Sequence, residues 1–374
     1  MRRLLTIGHS YVIAANRRMA HEMALQGQGR WEVTAVAPER LPADLRDVTL
    51  EPIPDEACAL KSLPLSMASI PHVRFYRHLR PVLASSWDVV HIWEEPYIVA
   101  GAQIATMAPR SARVVPATFQ NIAKRYPPPF SLFERQVMNR AAGWIAFGKT
   151  VHDAQAPRPL YSARPSRVIS PGVDVVRFRP DSAARRGVRQ RLGWDETVPV
   201  VGYLGRFVPE KGLHTLMRAL EGLRRPWRAL FVGGGPMAAD LGAFAAAHPD
   251  QVRVLTGVAH DEVPAHLSAM DVLCAPSETT ARWREQFGRM LIEAMACGVP
   301  VIASSSGEIP YVVADAGILR PEREPEQWTA ALDRLLGDDA ARGVLVQAGL
   351  ARAHEQFAWP VVARKHLAFF EELL

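Results

Sequence analysis

The sequence predicts an α/β protein made of parallel sheets in two similar halves. Short aliphatic runs alternate with helical patterns along nearly the whole chain, the order in which crossover helices join parallel strands. Both halves open alike, with a hydrophobic strand that ends in glycine (Gly8 and Gly205) and leads into a helix. The 374 residues also exceed what one ordinary core organises, so two domains follow.

In the first half, strands are expected at Leu4–Ile7, Trp31–Ala37, Asp88–Ile92, Arg113–Thr118, Gly143–Phe147 and Arg167–Ile169. A helix is expected over Ala15–Gln26, where Met19, Ala20 and Met23 share one face. In the second half, strands are expected at Val198–Leu204, Ala229–Val232, Val252–Leu255, Val272–Ala275, Val299–Ala303 and Gly317–Leu319. The repeat at half the chain length implies twin Rossmann-like domains, 1–175 and 176–357. Ser170-Pro-Gly-Val-Asp174 and the arginine-rich stretch to about Trp194 read as a linker, since proline, glycine and charge are unsuited to a core. The final helix, Pro360–Leu374, carries Val361, Val362, His366, Phe369 and Phe370 as an apolar stripe. Ligands of open parallel sheets bind beyond the carboxyl ends of the strands, so two such sheets are expected to face across a cleft.

Hydrophobic content of 48% with 22% charge is that of a soluble protein. No run approaches the roughly 18 apolar residues that span a bilayer. The stretch Leu4–Ile7 after Arg2 and Arg3 is too short for a signal-peptide core, and a cytoplasmic location is expected. Cys58, Cys274 and Cys297 read as reduced packing residues. A net charge of +6 fits an anionic small ligand or an anionic membrane surface. No nucleic-acid motif accompanies it, and no Asp-x-Asp or His/Cys cluster calls for a metal. No cofactor is expected.

The most informative segment is Glu285-Gln-Phe-Gly-Arg-Met-Leu-Ile-Glu293, which runs on into Ala-Met-Ala-Cys-Gly-Val-Pro. Two carboxylates flank a Phe-Gly turn that aims helix N-terminal amides outward, an arrangement suited to a ligand with phosphate and hydroxyl groups. A nucleotide-sugar is such a ligand. Upstream, Gly205-Arg206 and Lys211-Gly212 put an arginine fork and a lysine point charge at the entrance to a helix. Spacing alone leaves two alternatives there, a diphosphate grip and two solvated charges.

These segments resemble the donor site of glycosyltransferase family four, whose members are retaining transferases of GT-B architecture. The resemblance covers both halves and is strongest from about Val198 to Val313. It implies transfer of a sugar from a nucleoside diphosphate sugar to an acceptor hydroxyl, with the donor's leaving phosphate taking the acceptor proton. By the same resemblance Arg206 and Lys211 meet the diphosphate, Glu285 binds donor-sugar hydroxyls and Glu293 binds the ribose. Backbone around Gly8, Gly205, Val258, Phe287 and Gly288 completes the donor site. The helix 358–374 is implied to cross back onto the first domain. Residues Pro276 to Arg284 lengthen the family's short link before the first glutamate, either to shape donor selectivity or as a surface excursion.

The acceptor is implied to lie against the first domain, near His9, Trp93, Glu94, Gln120, Asn121, Lys124 and Arg125. His9 follows the only glycine matching the family's glycine-rich loop. Trp93 and Gln120 stand where many members carry histidine, which argues against any mechanism needing a histidine there. Trp93 beside Glu94 and Glu95 suits a sugar platform, and core packing fits it equally. Pro71–Arg80 reads as an amphipathic surface helix, and Lys124–Phe130 as a stiff loop facing an acceptor or anionic lipid. The rival readings are a nucleotide-sugar epimerase of the same architecture and a non-catalytic nucleotide-sugar binder.

Overall fold

Strand β1 (Arg2–Ile7) is the hub of the first sheet, because Leu4, Leu5, Thr6 and Ile7 are fully buried and both its edges are paired. The structure, a computed structural model, describes residues 1–42 and 47–374. The chain divides into two compact units, Met1–Gly172 with Trp359–Leu374, and Val173–Ala358.

In the first unit, β1 is joined by β2 (Trp31–Pro38), β3 (Ala59–Leu63), β4 (Val89–Ile92), β5 (Arg113–Thr118), β6 (Trp144–Ala146) and β7 (Ser166–Val168). The seven strands are all parallel, in the order 7-6-5-4-1-2-3. Helix Ala14–Gln26 packs on the C-terminal helix Trp359–Leu373, and Met19, Met23, Leu367 and Phe370 share one core with the sheet. The order reverses between β1 and β4, and that crevice is where such a sheet holds a ligand.

In the second unit the strands are β8 (Val200–Arg206), β9 (Arg228–Gly234), β10 (Val252–Thr256), β11 (Val272–Ala275), β12 (Val301–Ser304) and β13 (Gly317–Arg320). They are parallel too, ordered 10-9-8-11-12-13, which is the 3-2-1-4-5-6 order of a Rossmann sheet. The reversal falls between β8 and β11. Parallel strands buried on both faces read as continuous aliphatic runs, which is why nearly all of them were legible. The exception is β3, an edge strand in which only Leu63 is buried.

Two expectations fail. The stretch assigned to a linker contains a helix, Ser182–Arg191, capped by Asp181, whose side chain accepts the Ala184 N–H at 2.8 Å. Its Arg189 is almost fully buried and bonds Asp271 at 2.5 Å, while Arg185 reaches the same carboxylate at 2.8 Å. An arginine whose charge is matched by a partly buried carboxylate can pack as core, and a count of charges misses this. Pro71–Arg80 is likewise not a helix. Phe75–Tyr76 pairs antiparallel with Leu65–Ser66, and a short helix begins only at Leu79. The Gln103 side chain satisfies both the N–H and the carbonyl of Tyr76, at 2.9 and 2.7 Å, so the backbone there has no need of helical bonds.

Among the described residues, no helix is long and apolar enough to cross a membrane. Cys58, Cys274 and Cys297 are buried and unpaired by disulfides, and burial pushes the Cys58 and Cys297 thiols up to about 12.

Candidate functional site

In the second unit the chain leaves β8 at Gly205-Arg206 and makes one turn, Pro209–Lys211, before helix Leu213–Glu221. Gly212 sets the junction at φ +66°, and a Cβ there would lie 1.9 Å from the Pro276 carbonyl oxygen. The loop after β8 therefore presses directly onto the loop after β11. Glu278 confirms the seam by donating its N–H to the Glu210 carbonyl at 2.8 Å.

Across that seam the Lys211 ammonium donates to Glu285 Oε2. The Ser277 hydroxyl donates to the same oxygen at 2.8 Å. Lys211, Ser277 and Glu285 are all more than nine-tenths buried. Glu285 is fixed from behind as well, since its carbonyl accepts the Glu308 N–H at 3.0 Å. Gly307 at φ +53° leaves room for that approach: a Cβ there would lie 2.1 Å from the Glu285 oxygen. Arg206 is exposed at the end of β8, with its carbonyl held by the Tyr203 hydroxyl at 2.7 Å. Burial, with the charge of Glu285 second, drives the Tyr203 phenol well above its ordinary range.

Gly288, at φ +80°, caps helix Arg289–Ala296. Phe287 is buried edge-on to Phe357, ring centres 5.8 Å apart. Glu293 lies inside that helix and is buried. Desolvation raises its carboxyl, against the charges of Arg289 and Arg177. Val258 lines a groove of about 560 Å³ at the end of β10, with Thr256, Gly257, Glu262, His266 and Arg191. Arg191 comes from the helix that had been read as linker.

In the first unit the residues after β1 and β4 meet at the reversal point. Glu94 Oε1 accepts the His9 backbone N–H, lies 3.0 Å from His9 Nδ1, and takes the Tyr76 hydroxyl at 3.4 Å. The His9 ring stacks on Tyr76 at 4.9 Å. Trp93 is buried edge-on to Phe119 at 5.1 Å, which is the packing alternative of the two open for it. Gln120 caps its own loop through the Ile122 N–H at 3.2 Å, and its carbonyl accepts from Gln155 at 2.9 Å. Asn121 is buried, whereas Lys124 and Arg125 are exposed. Tyr126 leaves that loop to stack on Tyr97 at 4.0 Å. Glu95 accepts the Thr118 hydroxyl at 2.9 Å and the Phe119 N–H at 2.8 Å. Burial still pushes its carboxyl up to about 7.

Sequence reasoning overlooked the part played by Ser277, and it offered Glu95 only as a carboxylate beside Trp93, not as the clamp on Thr118 and Phe119. Ser277 follows a proline at the end of a buried strand, a place where a hydroxyl reads as an ordinary turn residue.

The family description "Glycosyl transferases group 1" matches residues 185–352. A D-inositol 3-phosphate glycosyltransferase of Salinispora tropica is 30% identical over 350 residues, 88% of this chain and 70% of that relative. The chain belongs to the group 1 glycosyl transferases. A second relative of the same name, from Salinispora arenicola, is 35% identical over 254 residues, 60% of this chain. The match spans only 54% of that relative's length. Among solved structures, sucrose-phosphate synthase of Thermosynechococcus elongatus is 22% identical with a TM-score of 0.74, over 100% of this chain and 99% of the other. That likeness is one of fold: two Rossmann-like domains with parallel sheets. The group 1 match contains β8 to β13 entire, and with them Lys211, Ser277, Glu285 and Glu293.

Proposed function

We propose that this chain is a retaining glycosyltransferase of family four that moves a sugar from a nucleoside diphosphate sugar to an acceptor hydroxyl. The observation that carries the reading is the buried meeting of Lys211, Ser277 and Glu285 at the reversal point of the second sheet. A lysine fixed there has further N–H donors for a phosphate oxygen, and a carboxylate beside it accepts from sugar hydroxyls. Arg206, exposed at the neighbouring strand end, supplies the second cation for the departing diphosphate. Glu293 accepts from the ribose, and Val258 lies beside the base. Arg206 and Lys211 meet the diphosphate charge without a metal ion, and the leaving phosphate oxygen takes the acceptor proton on the front side. The protein contributes orientation and charge stabilisation.

The acceptor lies against the first unit, near His9 and Glu94. The relatives' names add a cyclic polyol to the glycans, lipids and small metabolites that such a site accepts. The exposed Lys124 and Arg125 suit an anionic acceptor or lipid surface.

The test is a thermal-shift screen against UDP, GDP, ADP and their common sugar conjugates with EDTA present, followed by turnover with the conjugate that stabilises most. A ligand that binds only the folded protein raises its melting temperature. Stabilisation without sugar transfer to any polyol or lipid acceptor favours the binder. Conversion of the donor sugar to its epimer favours the epimerase. No stabilisation by any nucleotide removes the proposal.

A further inference from the structure

Trp283 stands beside the Lys211–Glu285 pair, and no sequence motif announced it. The Lys211 Nζ lies 5.1 Å from the centre of the indole, within cation–π range. The ring is carried on the inserted segment Glu278–Arg284, which is rigidly tied. Glu278 accepts from Thr215 at 2.8 Å and from Arg323 at 2.7 Å. Glu322 takes the Thr279 N–H at 2.6 Å and its hydroxyl at 2.7 Å, and the Thr279 and Ser306 hydroxyls are 2.9 Å apart. Residues 280–283 close a turn, with the Thr280 N–H on the Trp283 carbonyl at 2.9 Å and the Trp283 N–H on the Thr280 hydroxyl at 3.0 Å. A surface excursion has no need of anchors on two other loops.

Resting on the reading of Glu285 as the donor-sugar ligand, we infer that Trp283 is the apolar wall of the sugar subsite and selects donors carrying a neutral sugar. One lysine nitrogen touches both the carboxylate and the indole, so a sugar hydroxyl on Glu285 brings its ring within reach of Trp283. A pyranose offers an apolar C–H face and a polar rim, and an indole face with a carboxylate beside it complements both. A uronate fits neither: its charge meets an apolar wall and a like charge on Glu285.

The experiment is calorimetric titration of the wild type, Trp283→Ala and Trp283→Phe. The ligands are the free nucleoside diphosphate that stabilises the wild type (UDP, GDP or ADP), its glucose or mannose conjugate, and, for a uridine or guanosine donor, UDP-glucuronate or GDP-mannuronate. Melting temperatures of the three proteins are taken alongside. Trp283→Ala is expected to lose about tenfold in affinity for the neutral conjugate, the scale of one aromatic contact, and to keep its affinity for the free diphosphate within about twofold. Trp283→Phe restores most of the loss, and the wild type binds the uronate conjugate more weakly than the neutral one. Equal losses for conjugate and free diphosphate would place Trp283 in holding Lys211 and overturn the inference. So would unchanged binding of both. A wild type that binds no nucleoside diphosphate fails at the underlying reading, and that failure is visible before any variant is made.

Discussion

Lys211 and Glu285, 74 positions apart in sequence, share one ion pair whose side chains are only 10% and 8% exposed. Each partner comes from a different loop at the carboxyl end of the second sheet, and neither is buried without the other. The pair therefore links the geometry of the candidate site to the stability of the domain that carries it.

Removing the cation leaves a buried carboxylate that keeps the Ser277 hydroxyl as a donor but has lost its counter-charge. Lys211→Ala is expected to destabilise the protein by about 3 kcal/mol, as for other buried pairs broken on one side. The Glu285→Gln change made on top of it recovers part of that loss by removing the stranded charge. Urea unfolding of the single and double variants measures both. An unchanged midpoint in Lys211→Ala would contradict a closed pair in solution.

Glu285→Ala separates sugar orientation from phosphate binding. Sugar transfer is expected to fall by about 100-fold or more, the scale of one lost transition-state contact. Affinity for the free nucleoside diphosphate holds or rises, because Lys211 is released from its partner. Single-turnover assays and titration with the diphosphate report the two effects. Parallel loss of nucleotide affinity would remove Glu285 from its assigned role. Arg206→Ala with Lys211→Ala should weaken diphosphate binding, and unchanged affinity there would remove the phosphate site.

The parts of this molecule that were legible in the sequence are those where one local signal decides the outcome. Twelve of the thirteen strands in the two large sheets are marked by short apolar stretches or by their place in the strand–helix alternation, and Gly205, Gly212 and Gly288 mark the turns that position Arg206, Lys211 and the helix start after Phe287. What was hidden depends on partners distant in sequence. Arg189 reads as solvated until Asp271 is brought beside it, and Trp283 reads as a surface tryptophan until Thr215, Ser306, Glu322 and Arg323 fix its loop. Trp93 and Glu95 are two positions apart, yet one packs among aromatic rings and the other clamps the end of β5. No spacing rule separates those two roles.

Gly307 tests how finely Glu285 is placed. Alanine there meets the Glu285 carbonyl oxygen at 2.1 Å and must also hold φ near +53°. Left-handed backbone alone costs a non-glycine residue about 1–3 kcal/mol. Gly307→Ala is therefore expected to lower the melting temperature and to reduce sugar transfer more than diphosphate binding, since the displaced residue is the one proposed to hold the sugar. Normal transfer in a folded Gly307→Ala protein would show that the site tolerates movement of Glu285.

Glu95 makes the first unit sensitive to pH. Burial, opposed by the Phe119 N–H and the Thr118 hydroxyl and assisted by the charges of Glu134 and Glu94, lifts its carboxyl from 4.5 to about 7. A carboxyl raised in the folded state binds its proton more tightly there than in the unfolded chain. Its contribution is therefore complete below about pH 4.5 and is lost as pH rises through about 7. His366 acts in the opposite sense: burial lowers it to about 4, so stability is lost as pH falls from the ordinary histidine range towards that value. Comparing wild type with Glu95→Gln cancels the histidine and isolates the carboxylate. The wild type should lose stability relative to the variant between about pH 5 and pH 7.5, with a constant difference above that window. Urea midpoints taken across that range give the difference directly, and parallel curves for the two proteins would show that Glu95 is charged throughout.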